Sequence, residues 1–278
     1  MSIQKSTKGK LISKNDFDQM LFERKRKLFE KMMMRNIFLF FLLSFNLIVS
    51  QQSGIVTYEY SFHPEKLKTG LEEINNNYKQ SVTLFMKKTE EYAKQHQWIL
   101  KFTSFEAIYK VEDDIIPDDI EDPSAWRISK WTFGKGIFYQ NAKDRYTLNQ
   151  KEIFNKQYLV KDTIKNDWIL SYEKRIIGGY KCYKAVRKNP KNRNFDVIAW
   201  YAPEIPVPFG PGRYNGTPGL ILELNFGPHS LTMKKIRFEN LSIQKPTKGK
   251  LINKNDYDQM LFERKRKLFE KMMMRKRN

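Results

Sequence analysis

The sequence predicts a mostly β, α+β fold: an antiparallel sheet built as a half-open barrel or a two-sheet sandwich, with an N-proximal helix and a basic C-terminal helix. Three observations predict it. Short alternations of apolar and polar residues recur from residue 54 to residue 226, separated by clusters of Lys, Asn, Asp, Gly and Pro. Apolar residues fall at three- and four-residue spacing in two stretches, roughly 65–97 and 254–277. Hydrophobic residues make up 40% and aromatic residues 14% of the 278, enough for a core and too many for a disordered chain.

The elements follow in order. Gly54 to Phe62 (GIVTYEYSF) sets Val56, Tyr58 and Tyr60 on one strand face and Ile55, Thr57, Glu59 and Ser61 on the other. Between Glu65 and Gln97, Leu67, Leu71, Ile74, Tyr78, Val82 and Phe85 mark one helix or two short ones. Strand signals return over Trp98 to Lys110, break at the acidic loop Glu112 to Asp122, and resume at 136–140, 144–150, 156–162 and 167–177. Their short intervals suit antiparallel hairpins rather than parallel βαβ units. A polar turn at Lys188 to Asn194 precedes a strand at Phe195 to Tyr201. Pro206, Pro208, Gly210, Pro211 and Gly212 exclude helix or central strand from the next segment. It ends in Gly216-Thr217-Pro218-Gly219, where a type II turn with Gly219 at positive φ is expected. Leu220, Leu222, Leu224 and Phe226 then share a strand face, with Ile221, Glu223 and Asn225 on the other. In the tail, Asn253 and Asp256 resemble a capping box, and Tyr257, Leu261, Leu268 and Met272 lie roughly on one helical face.

The clearest long-range pattern is a repeat. Ser2–Arg35 (SIQKSTKGKLISKNDFDQMLFERKRKLFEKMMMR) recurs as Ser242–Arg275, differing at Ser6/Pro246, Ser13/Asn253 and Phe17/Tyr257. After the first copy come a short basic start, a run from Ile37 to Val49 (IFLFFLLSFNLIV) interrupted by Ser44 and Asn46, and a small residue at Ser50. That is the order of a secretory signal peptide. The run is about 13 residues, short of the roughly 20 that cross a bilayer as a helix. The expected division is therefore a fused copy of a tandem gene's tail (1–33), a signal peptide (34–50) with its natural start at Met32, Met33 or Met34, a β-rich domain (51–241) and a basic tail (242–278). The alternative is a genuine duplicated basic arm on an anchored protein. No Cys lies near the cleavage region, so a lipoprotein anchor is not expected. The protein is expected to be exported, whether periplasmic, outer-membrane-associated or secreted.

The formal net charge of +20 is concentrated in the two copies. Residues 1–50 carry ten basic and four acidic groups, 242–278 twelve and four, and the body 29 and 23. A mildly basic body removes most of the case for nucleic acid as a partner. One Cys and three His argue against a disulfide framework, a multi-cysteine zinc site and a multi-histidine centre. No metal and no cofactor are expected.

The stretches DWILSYEKRIIGGYKCYKA (167–185) and AWYAPEIPVPFGPGRYNGTPGLILEL (199–224) carry a resemblance. They look like the GLPGLI family, exported proteins typical of the Bacteroidota. The naming motif corresponds to Gly216, Thr217, Pro218, Gly219, Leu220 and Ile221, with Thr217 in place of Leu. The resemblance covers most of residues 51–270 and implies a cell-envelope protein; it supplies no activity and no catalytic residues.

Candidate chemistry is sparse. Cys182, beside Lys181 and Lys184, is a candidate reactive thiol, though a small core residue is the simpler reading. The acidic loop lacks the spacing of a calcium loop. His63, His96 and His229 accompany no nucleophile motif. Trp126, Trp131, Tyr139, Tyr201 and Tyr214 can stack on ligand rings only if exposed. Trp200, Tyr201, Arg213 and Tyr214 are the candidate ligand or cleft residues. The expected function is a non-enzymatic envelope module that binds an apolar ligand or a partner protein. The alternatives are a hydrolase, with Glu204, Arg213, Tyr214 and Glu223 converging near the 205–219 segment, and a structural protein lying on the membrane surface through the 254–277 helix.

Overall fold

A computed structural model describes residues 19, 22–34, 53–67, 76–112, 120–131, 133–188 and 195–275. The chain divides into two compact units, Met1–Ser50 and Gln51–Asn278. In the first, residues 22–34 form helix α1. The apolar run expected to be a signal sequence lies outside the described residues, as do 113–119 of the acidic loop and 189–194 of the polar turn.

The second unit is mostly β. It opens with β1 (Gly54–Phe62), a 3-10 turn (Pro64–Leu67) and α2 (Asn76–Gln95). Next come β2 (Gln97–Phe102), β3 (Glu106–Glu112), α3 (Pro123–Trp131), β4 (Ile137–Asn141), β5 (Tyr146–Ile153) and β6 (Lys156–Thr163). Then follow β7 (Ile169–Ile177), β8 (Tyr180–Arg187), β9 (Val197–Ala202), β10 (Leu220–Phe226) and β11 (His229–Phe238). The tail supplies β12 (Lys250–Asn253) and α4 (Lys254–Arg275).

All twelve strands join one sheet in the order β12-β6-β5-β4-β3-β2-β1-β11-β10-β9-β8-β7. Two meanders, β2–β6 and β7–β11, flank β1. Every pairing is antiparallel except β12 on β6, so the sheet is mixed. Its ends, β12 and β7, do not pair, and it is not closed into a barrel. The central place of β1 accounts for its composition: Val56, Tyr58, Tyr60 and Phe62 are all buried, and the branched and aromatic side chains suit a strand paired on both edges.

Two departures from the predicted elements have local causes. The strand signals over 98–110 divide into a hairpin, turned where Glu106 N–H donates to the Thr103 hydroxyl at 3.1 Å. Helix α3 carries no clear periodic signal, yet Asp122 Oδ1 accepts from Ser124 and Ala125 N–H at 2.9 and 3.0 Å, and Pro123 takes the first helical position.

The Pro-rich segment 203–219 packs on the sheet and is largely buried, with Pro203, Glu204, Pro206, Arg213 and Pro218 exposed. Ile205, Val207, Phe209 and Tyr214 belong to the same core as Tyr58, Trp98, Phe138 and Leu224. A buried irregular segment must satisfy its backbone. Pro206, Pro208 and Pro211 have no N–H to satisfy. Leu220 N–H donates to Ile205 C=O, Ile221 N–H to Phe209 C=O and Gly216 N–H to Pro208 C=O, each at 2.9 Å. The Gln140 side-chain amide donates to Gly210 C=O and Gly212 C=O, both at 2.9 Å.

The end of this segment corrects the predicted turn. Gly216 has φ +88, whereas Gly219 lies outside the left-handed region. Leu220 already pairs with Ala202, so the chain at Gly219 runs against β9. Glycine is needed there for space: a Cβ would meet the Ala202 carbonyl oxygen at 2.2 Å. The predicted faces of β10 also need correction. The β9–β10 ladder shifts register between Ile221 and Glu223, which takes Ile221 off the face of Glu223; Ile221 is fully buried, as Leu222 is, and Glu223 half-buried.

Candidate functional site

A row of paired residues crosses the sheet from core to edge: Val56, Leu100, Tyr109, Phe138, Asn149 and Val160. The first four are core residues. Beyond them the same face opens into a groove of about 700 Å³ over β4, β5 and β6. Phe138, Asn149, Lys151 and Val160 line it from the strands. Phe133 and Tyr214 border it on the core side, Lys254 and Leu261 from α4, and Ile153 and Phe154 at the β5–β6 turn. The tail is thus part of the site. Leu251 and Ile252 pair with Leu159 and Val160. Tyr257 is buried, its ring centroid 6.4 Å from that of Tyr158.

The groove is apolar with a basic side. Lys135, Lys151, Arg213 and Lys254 line it, against Glu152 and Asp162. Lys254 is paired with Asp258, and Glu152 accepts from Gln157 at 3.1 Å. Among the described residues no carboxylate lies within ion-pair distance of Lys151, whose Nζ sits 4.2 Å from the Tyr257 ring centroid. Burial, then the nearby Lys254 and Arg213, push the Lys151 ammonium down to about 8, with Asp258 opposing. Asn149 Oδ1 is buried in the same groove with no hydrogen-bond partner.

A second groove, about 750 Å³, is bordered by Arg175, Lys184, Trp200, Glu223 and Ser230. Its charges answer one another. Arg175 pairs with Glu223 and lies 4.1 Å from the Trp200 ring centroid. Asn225 donates to Glu223 at 2.6 Å, and Lys184 to Glu173 at 2.8 Å.

The candidate cleft residues are therefore divided. Arg213 and Tyr214 border the first groove and Trp200 the second, while Tyr201 is buried in the core. Glu204 accepts from Lys181 N–H at 3.3 Å and lines neither groove, and Glu223 lies in the second. Cys182 is fully buried, and burial pushes its thiol up to about 11, which leaves little thiolate at neutral pH. The motif is structural in place: Leu220 and Ile221 are core, and the Thr217 hydroxyl, buried, donates to Gly219 C=O at 2.7 Å. Trp126, Tyr139 and Tyr214 are buried as well. The Trp131 side chain lies outside the described residues.

The strand pairing brings two distant histidines together. The His229 Nδ1 and the Tyr60 hydroxyl are 2.7 Å apart. The His63 Nε2 is 3.0 Å from Ser230 Oγ, and its Nδ1 is 3.4 Å from Glu65. Ser230 is only 3% exposed, sits inside β11 and borders the second groove. His96 and the Ser129 hydroxyl are 2.7 Å apart.

Among the described residues no group of His, Cys, Asp and Glu is arranged to hold a metal ion. Among them, too, no helix is long and apolar enough to cross a membrane. The tail helix exposes Phe262 and Arg264 to Lys267 while Tyr257 is buried. Sequence reasoning missed Asn149, Lys151 and Lys254. Asn149 and Lys151 stand about a hundred residues from Lys254, and only the parallel docking of β12 brings them to one place. The amphipathic pattern holding Tyr257 and Leu261 was the one available signal.

No curated protein matches the chain. Two crystal structures of PNGF-II align with a TM-score of 0.49, at 17% and 16% identity, each over 76% of this chain and 33% of theirs. The chain thus spans about a third of the length of those proteins. An uncharacterized conserved protein from Thermus thermophilus aligns with a TM-score of 0.30 and 8% identity, over 63% of this chain and 99% of its own. The model of a family described as "Protein of unknown function (Porph_ging)" matches residues 187–223, from the end of β8 into β10.

Proposed function

We propose that this chain is an exported cell-envelope protein that binds an apolar ligand in the groove over β4–β6 and performs no catalysis. The observation that carries the reading is the continuity of the groove with the core. Phe133 and Phe138 belong to both, and Val160 and Leu261 extend the apolar surface outward. A concave site of about 700 Å³ with a few polar groups suits a small molecule. Membership of the GLPGLI family is part of the same proposal. The matched stretch 187–223 spans the whole motif Gly216 to Ile221. Export rests on the 37–49 apolar run.

The test is fluorescence of N-phenyl-1-naphthylamine with delipidated protein. Saturable enhancement is expected, and Leu261→Arg, at the rim, should abolish it while the thermal unfolding midpoint moves by no more than a few degrees. Undiminished enhancement in that variant, or none in the parent chain, sinks the reading.

A further inference from the structure

Of the two grooves, only the first holds a half-buried cation without a counter-ion among the described residues. In the second, Arg175, Lys184, Glu173 and Glu223 neutralise one another. In the first, Lys151 faces a tyrosine ring instead of a carboxylate, with Arg213 and Lys254 close enough to disfavour its charge. Arg213 too has no carboxylate within ion-pair distance among the described residues; its guanidinium lies 5.5 Å from the Tyr214 ring centroid. Like charges gathered at a partly dry surface are unfavourable alone and favourable around an anion. The apolar residues Val160 and Leu261 share this groove. A ligand that satisfies both parts is amphiphilic.

Resting on the reading that the groove takes an apolar ligand, we propose that its ligand is an anionic amphiphile. Lys151, Arg213 and Lys254 receive its oxyanion head, a carboxylate or a phosphate, and the alkyl chain lies along Phe138, Val160 and Leu261. Asn149 Oδ1, buried without a partner, accepts from a hydroxyl or N–H near the head.

Displacement of N-phenyl-1-naphthylamine from the full chain at pH 7 tests this. The competitors are hexadecanoate, hexadecyl phosphate, hexadecanol, hexadecyltrimethylammonium and inorganic phosphate. The two anionic amphiphiles are expected to displace the probe at about tenfold lower concentration than hexadecanol, as one charge-assisted contact provides. The ammonium should be weaker than hexadecanol, and inorganic phosphate should displace nothing. Lys151→Met, which keeps the stem and removes the charge, should bring hexadecanoate level with hexadecanol.

Equal displacement by hexadecanol and hexadecanoate in the parent chain overturns the anionic head and leaves the apolar ligand standing. So does a preference that survives Lys151→Met. Inorganic phosphate competing as well as hexadecyl phosphate makes the site one for a free oxyanion and overturns the amphiphile. Failure of the probe to bind the parent chain removes the apolar reading and this inference with it.

Discussion

His229 shows how a single half-buried side chain makes the fold sensitive to pH. Burial, and then the neighbouring His63, hold its imidazole down at about 4, against an ordinary value near 6.5. A histidine lowered on folding is neutral in the native state, while the unfolded chain takes up the proton between those values. Stability should therefore fall as pH drops from about 6.5 toward 4. The contribution lost between pH 7 and pH 5 is on the order of 2 kcal/mol. Urea midpoints measured at both pH values should fall in the parent chain and fall less in His229→Gln. A pH dependence unchanged by the substitution would contradict this account.

At the scale of elements, the 203–219 segment shows how a Pro-rich stretch becomes interior structure. Its prolines remove backbone donors, and Gln140 from β4 supplies donors for the Gly210 and Gly212 carbonyls. Gln140→Leu leaves both carbonyls buried and unpaired, and should lower stability by about 2–4 kcal/mol. The same change loosens the anchoring of Arg213 and Tyr214, so probe affinity should fall with stability. Denaturant titration beside probe titration checks this, and a variant as stable as its parent would show that the two bonds are dispensable. The legible and illegible parts of the fold divide along similar lines. β1 is readable residue by residue because one face is wholly apolar. β11 is not, because its alternation gives way at Lys234 and Lys235, where its pairing with β1 shifts register. β12 is four residues long, and nothing local distinguishes Lys250–Asn253 from a loop. The parallel bond to β6 makes it a strand, and that information resides about ninety residues away. The groove is hidden for the same reason: Arg213 and Tyr214 stand out as polar residues in an odd loop, whereas the importance of Lys151 depends on what the tail brings beside it.

At the scale of the whole molecule, the repeat acquires a physical meaning. The C-terminal copy is built into the domain: its KLIN forms β12, its Tyr257 is buried, and its Leu261 lines the groove. The copy at Ser2–Arg35 repeats those residues with Ser13 for Asn253 and Phe17 for Tyr257, although among the described residues every strand of the sheet lies within Gln51–Asn278. We propose that the first copy is the remnant of a fused neighbouring tail and that the short apolar run after it directs export. Two measurements check this together. N-terminal sequencing of the protein from its native cells should give a start near Gln51. A chain begun at Gln51 should unfold in one cooperative step at the denaturant midpoint of the longer chain. A native product that retains Ser2, or a shortened chain without cooperative unfolding, would make the first copy a working part of the protein and refute its reading as a leader-borne remnant.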